Sequence, residues 1–174
     1  AGYAPVGIGS DTGGSVRIPA AFCGLTGFKP TYEAIPLTGG LYLSFTCDHA
    51  GPIAPRVDDC ALLFEVMSGR RTEHGQVSRH PRLAVPRDWL APRMAGPVAA
   101  VFERQLDALA RAGAQIETVS LQTFALAWAH YTPLVRAEAA WVHRDALAAE
   151  DPGFSELVLP PLRAGMTIGA GAYL

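Results

Sequence analysis

Short apolar runs broken by glycine and proline fill the first third of the chain, and longer runs at helical spacing fill the second half. Residues 4–8 are compact and apolar and predict a buried strand. A polar, glycine-rich loop follows from Gly9 to Ser15, and Val16 to Phe22 then suits a short helix with Pro19 in its first turn. Leu25 to Phe28 reads as a second strand, and Tyr32 to Cys47 as loop, with Pro36 and Gly39-Gly40 as turn signals. Gly51 to Ala54 suits a further short strand. Val57 to Met67 predicts a helix, because Asp58 and Asp59 sit in its first turn and Gly69 follows its end.

Residues 70–79 are polar and read as a surface connection, with a strand at Leu83 to Val85 beyond them. Pro97 to Ala112 has the plainest helical pattern. Val98, Val101, Phe102, Leu106 and Leu109 form one stripe, and Gly113 suits the position after the last turn. A strand at Ile116 to Leu121 and a long apolar helix over Phe124 to Leu147, kinked at Pro133, complete the chain. Strands alternating with helices imply an α/β fold, a mixed or parallel β-sheet flanked by helices, in one domain over 1–174. Both ends read as cut: Ala1 leads straight into an apolar strand, and Leu174 stops within an apolar stretch.

Composition narrows the function. The 174 residues are 49% apolar, which excludes a disordered chain, and no apolar run is long enough to span a membrane. A formal charge of -2 offers no electrostatic pull toward nucleic acid or anionic lipid. Three cysteines without CxxC pairing suit reduced thiols in a cytoplasmic protein. Cys47-Asp48-His49 is the densest cluster of metal-ligand types and is too sparse for a metal site, so neither metal nor cofactor is expected. Lys29 is the only lysine.

Chemistry concentrates in Gly9-Ser10-Asp11-Thr12-Gly13-Gly14-Ser15, between a strand and a helix. Glycines let backbone N–H groups converge, and a helix start adds partial positive charge, so the loop suits an anion. Phosphate fits poorly: Gly9 and Gly14 have P-loop spacing, but Ser15 stands where the lysine belongs. The dinucleotide fingerprint fails at Thr12. An acyl-transfer oxyanion is the other option, with Ser15 as nucleophile and the N–H groups of Thr12, Gly13 and Gly14 facing the developing charge. Local chemistry leaves a second reading open, in which Ser15 merely caps the helix.

The stretch from Gly9 through Val16-Arg17-Ile18-Pro19-Ala20, continued by Cys23-Gly24-Leu25-Thr26-Gly27-Phe28-Lys29-Pro30-Thr31, resembles the amidase signature family. Asp48-His49-Ala50-Gly51-Pro52-Ile53-Ala54 and Arg136-Ala137-Glu138-Ala139 extend the similarity. The resemblance implies hydrolysis of a small-molecule carboxamide through an acyl-enzyme on Ser15, with Thr12, Gly13 and Gly14 as the oxyanion segment. It also implies a lysine and a cis-serine that activate Ser15 from upstream of Ala1, so residues 1–174 alone are expected to be inactive and to pair with a second copy. Asp11 and Arg17 match an ion pair bracing the loop. Lys29 and Cys23 match structural positions, Cys23 in the core. Trp128, Tyr131, Trp141 and His143 read as helix core, with Trp128 and Tyr131 near the acyl side of the site. Glu33-Ala34 departs from the usual glycine there. The alternatives are the A subunit of an aminoacyl-tRNA amidotransferase, or a remnant without catalytic activity.

Overall fold

A computed structural model describes residues 2–71, 78 and 80–173. The chain forms two compact units, residues 1–72 with 131–174, and residues 73–130. The polar connection read over 70–79 falls largely outside the described residues.

In the first unit β1 (Gly7–Asp11), β2 (Thr26–Gly27) and β3 (His49–Ala54) make a three-stranded sheet in the order β1-β3-β2. Both pairings are antiparallel. The first strand therefore lies three residues later than its apolar run, and Gly9, Ser10 and Asp11 are strand instead of loop. Nor is that run buried: β1 is an edge strand, and Ile8 is 67% exposed.

Three glycines explain how the sheet closes on the helix beside it. Helix α1 (Arg17–Phe22) leaves β1 through Val16, which is wholly buried. A Cβ on Gly9 would meet a Val16 methyl at 3.0 Å, and one on Gly27 would meet the Val16 carbonyl at 2.7 Å. One on Gly51 would stand 2.2 Å from the Phe28 carbonyl and 3.4 Å from the other Val16 methyl. Val16 is thus a peg seated among three residues that lack side chains, and the glycine at position 9 is there for packing. Helix α2 (Val57–Ser68) covers this sheet with the buried Cys60. Asp58 and Asp59 lie in its first turn and Gly69 ends it at φ 67, as its sequence implies.

In the second unit β4 (Arg82–Val85) and β5 (Gln115–Thr118) pair in parallel. The crossover carries α3 (Arg87–Leu90) and α4 (Gly96–Arg111). Gly113, at φ 104, follows α4 in the left-handed region. Of the stripe on α4 only Leu106 is buried, and Val98, Val101 and Leu109 remain open.

Helix α5 (Gln122–Val142) continues through Pro133 and stops at Val142, and α6 (Arg144–Leu147) is separate. Helices α7 (Leu159–Gly165) and α8 (Ala170–Tyr173) follow. Gly165 packs on the backbone of α5, where a Cβ would lie 2.0 Å from the Arg136 carbonyl. The core reading of Trp141 fails: the residue is 63% exposed, with the Arg144 guanidinium 4.3 Å from its ring centre. His143 stacks edge-on with Phe154 at 5.3 Å. Cys23, expected in the core, is the residue ending α1 and is exposed. The side chain of Trp128 lies outside the described residues. No helix among the described residues is long and apolar enough to cross a membrane.

Candidate active site

The end of β1 delivers Asp11 into the interior, where its side chain has no solvent access. Its carboxylate collects four donors from the next six residues. Gly14 N–H donates at 2.7 Å and Val16 N–H at 3.3 Å. Arg17 donates in bidentate fashion, Nε and Nη2 each at 2.9 Å. Burial alone would raise the Asp11 pKa, but the Arg17 hydrogen bond, the Val16 N–H, the Arg17 charge and the Gly14 N–H together outweigh it. The result is a pKa lowered to about 2. The ion pair expected from the sequence is therefore the brace of this turn.

This bracing narrows the expected oxyanion segment. The Gly14 N–H points at Asp11 and is not open to a ligand oxygen. The Thr12 and Gly13 N–H groups have no hydrogen-bond partner among the described residues. Gly14 instead supplies shape, at φ 134, with the Ile18 side chain 2.6 Å from where a Cβ would sit. Gly13 lies under Tyr131, whose hydroxyl oxygen would be 2.0 Å from a Cβ there. Burial, with the charges of Cys47, Asp11 and Asp48 nearby, raises the Tyr131 pKa. Ser15 is exposed at the end of the loop. Val16 occupies the N-cap position of α1, and the side chain that accepts an N–H there is that of Asp11, so the capping role open to Ser15 is not the one it plays.

Residues remote in sequence hold Thr12. Its hydroxyl donates to Asp48 Oδ1 at 2.5 Å, and Asp48 Oδ2 accepts the Leu43 and Ser44 N–H groups at 2.6 and 3.0 Å. From α5 the buried Glu138 accepts Ser44 Oγ at 2.5 Å, Thr46 Oγ1 at 2.7 Å, Thr46 N–H at 3.1 Å and the Tyr173 hydroxyl at 2.9 Å. Burial would raise the Glu138 pKa, yet the Ser44, Thr46 and Tyr173 donors lower it overall. Neither carboxylate was legible as part of the site. In the sequence Asp48 stood out beside Cys47 and His49, and both carboxylates fell within stretches that resemble the amidase signature family, but nothing in either stretch gave them a partner or a role.

Lys29 Nζ donates to the Pro30 carbonyl at 2.6 Å, a contact at the end of β2. Glu33 adopts φ 60, the left-handed conformation that a glycine would adopt without strain.

Three comparisons bear on this arrangement. The family model described as Amidase matches residues 1–165. The A subunit of the glutamyl-tRNA(Gln) amidotransferase of Roseiflexus sp. (strain RS-1) is 34% identical over 155 residues, covering 80% of this chain and 32% of the relative. A solved structure described as an amidase superposes with a TM-score of 0.89 at 40% identity, over 97% of this chain and 38% of that one. The structure of the glutamyl-tRNA(Gln) amidotransferase A subunit from Thermotoga maritima gives a TM-score of 0.69 at 30% identity, over 93% and 38%. The chain thus spans about a third of the length of the curated relatives it matches.

Proposed function

The chain belongs to the amidase family, and from that premise we propose that Ser15 is the nucleophile of a cytoplasmic carboxamide hydrolase. The observation that carries this reading is the state of Ser15. Ser15 is exposed, caps no helix and follows a loop locked by the ion pair of buried Asp11 with half-exposed Arg17. Ser15 Oγ attacks the amide carbon, and the carbonyl π electrons move onto oxygen. The Thr12 and Gly13 N–H groups receive that charge, while Gly14 holds the turn. The C–N bond then breaks as the leaving nitrogen takes a proton, and water attacks the acyl ester to release the acid and restore Ser15.

A serine hydroxyl at its ordinary pKa needs a base within hydrogen-bond reach. Lys29 is held at the Pro30 carbonyl. The base is therefore assigned to the lysine and cis-serine that the family resemblance places upstream, and residues 1–174 by themselves release negligible ammonia. The exposed Phe22, Leu62 and Val66 are surface for further protein to cover, from the same domain or from a second copy.

A second reading, the A subunit of an amidotransferase, is favoured by the names of the curated relatives. The higher identity to the amidase structure, 40% against 30%, supports the hydrolase. Two assays decide. A fluorophosphonate probe labels Ser15 in the complete enzyme, and Ser15→Ala abolishes ammonia release from carboxamides. Labelling elsewhere or an active Ala variant overturns the nucleophile assignment. Release from glutamine alone, and only with a partner protein, favours the second reading.

A further inference from the structure

The nucleophile loop is braced twice, by Asp11 from within and by Asp48 from outside. Only the second brace reaches Thr12, through its hydroxyl. Asp48 is itself set by the 43–48 loop, since two of that loop's N–H groups converge on Oδ2 and the Asp48 N–H returns to the Ser44 carbonyl at 2.8 Å. Ser44 has no solvent access, and its hydroxyl is tied to Glu138, 94 residues away. Thr46 is tied to the same carboxylate by both its N–H and its hydroxyl. A continuous line of hydrogen bonds runs from Glu138 on α5 through Ser44 and Asp48 to the side chain of Thr12, the residue before Gly13.

We propose that Glu138 is a positioning residue for amide hydrolysis, acting through Ser44 and Asp48 to fix the Thr12–Gly13 peptide against the developing oxyanion. The proposal rests on the oxyanion role assigned to that peptide above. Its physical basis is cost: a buried carboxylate gives up its hydration and needs hydrogen bonds to replace it, whereas apolar packing could fill the same volume at no such cost. Glu138 has four donors and Asp48 three, and every one but the Tyr173 hydroxyl belongs to the 43–46 backbone and side chains or to Thr12. The arrangement holds one loop, which also accepts the Tyr32 hydroxyl at the Phe45 carbonyl and reaches the nucleophile loop through Thr12. A donor displaced by a fraction of an ångström still lets substrate bind but fails the transition state.

The experiment uses the complete enzyme and a simple carboxamide, with active sites counted by fluorophosphonate labelling at Ser15. The variants are Glu138→Gln, Ser44→Ala, Thr12→Val, Thr12→Ser and the double Glu138→Gln/Thr12→Val. Per labelled site, Glu138→Gln and Thr12→Val should each lower kcat by about ten- to a hundredfold, with KM held within about twofold. Thr12→Ser keeps the hydroxyl and should recover most of the rate. Because both changes act on one peptide, the double variant should be no slower than the worse single. Ser44→Ala removes a single bond and should show the same kcat-only loss, more weakly, which keeps the test sound if Glu138→Gln folds poorly. Losses that multiply in the double variant, or wild-type kcat per labelled site in Glu138→Gln, overturn the positioning role. If instead Ser15→Ala stays active, it is the underlying hydrolase reading that fails.

Discussion

Replacing Asp11 with Asn keeps the volume of the side chain and removes its charge. The four donors around the carboxylate make the consequence calculable. Lowering the pKa from 3.8 to about 2 corresponds to roughly 2.4 kcal/mol at 1.36 kcal/mol per unit, and the half-exposed Arg17 reduces this by screening to about 1–2 kcal/mol. The Asn amide also turns an NH2 toward a donor, at an added cost of about 1–3 kcal/mol. The expected loss of stability at pH 7 is about 2–5 kcal/mol, measured by urea unfolding. Because the folded pKa is the lower one, the charge contribution is complete well above pH 3.8 and disappears as pH falls toward about 2. The gap between wild type and variant should be flat from about pH 7 to 5, and about half of its ionic part should be gone near pH 3. A gap below about 0.5 kcal/mol at pH 7, or one that stays constant down to pH 2, would refute the claim that this ion pair braces the loop.

The same geometry gives two more expected outcomes. Gly13→Val must push the Tyr131 ring away, since even a Cβ would sit 2.0 Å from its hydroxyl oxygen. The expected loss is about a hundred- to a thousandfold in kcat, in protein whose circular dichroism is unchanged, and unaltered turnover would mean that the loop is only a turn. Among the cysteines, an alkylating reagent should modify exposed Cys23 quickly. It should leave Cys60 untouched in folded protein, where burial raises the thiol pKa. Equal rates by mass spectrometry would show that the sheet under α2 opens readily.

The sequence by itself determined what acts over a few residues. Gly69 and Gly113 ended their helices because a left-handed residue must sit there, and Asp58 and Asp59 marked a helix start through the dipole. Asp11 and Arg17 paired because six positions of tight turn bring them together. The motif around Ser15 carried the family. Tertiary structure decided the rest. Gly9, Ser10 and Asp11 joined a strand because β3 supplied hydrogen bonds that no local pattern announces. Trp141 and Cys23 stayed exposed because burial depends on which neighbour arrives, and periodicity names only a face. Asp48 and Glu138 entered the site from 36 and more than 90 residues away, over separations where side-chain spacing carries no signal. Only the folded chain brings their hydrogen-bond partners within reach, and those partners are what make a buried carboxylate tolerable.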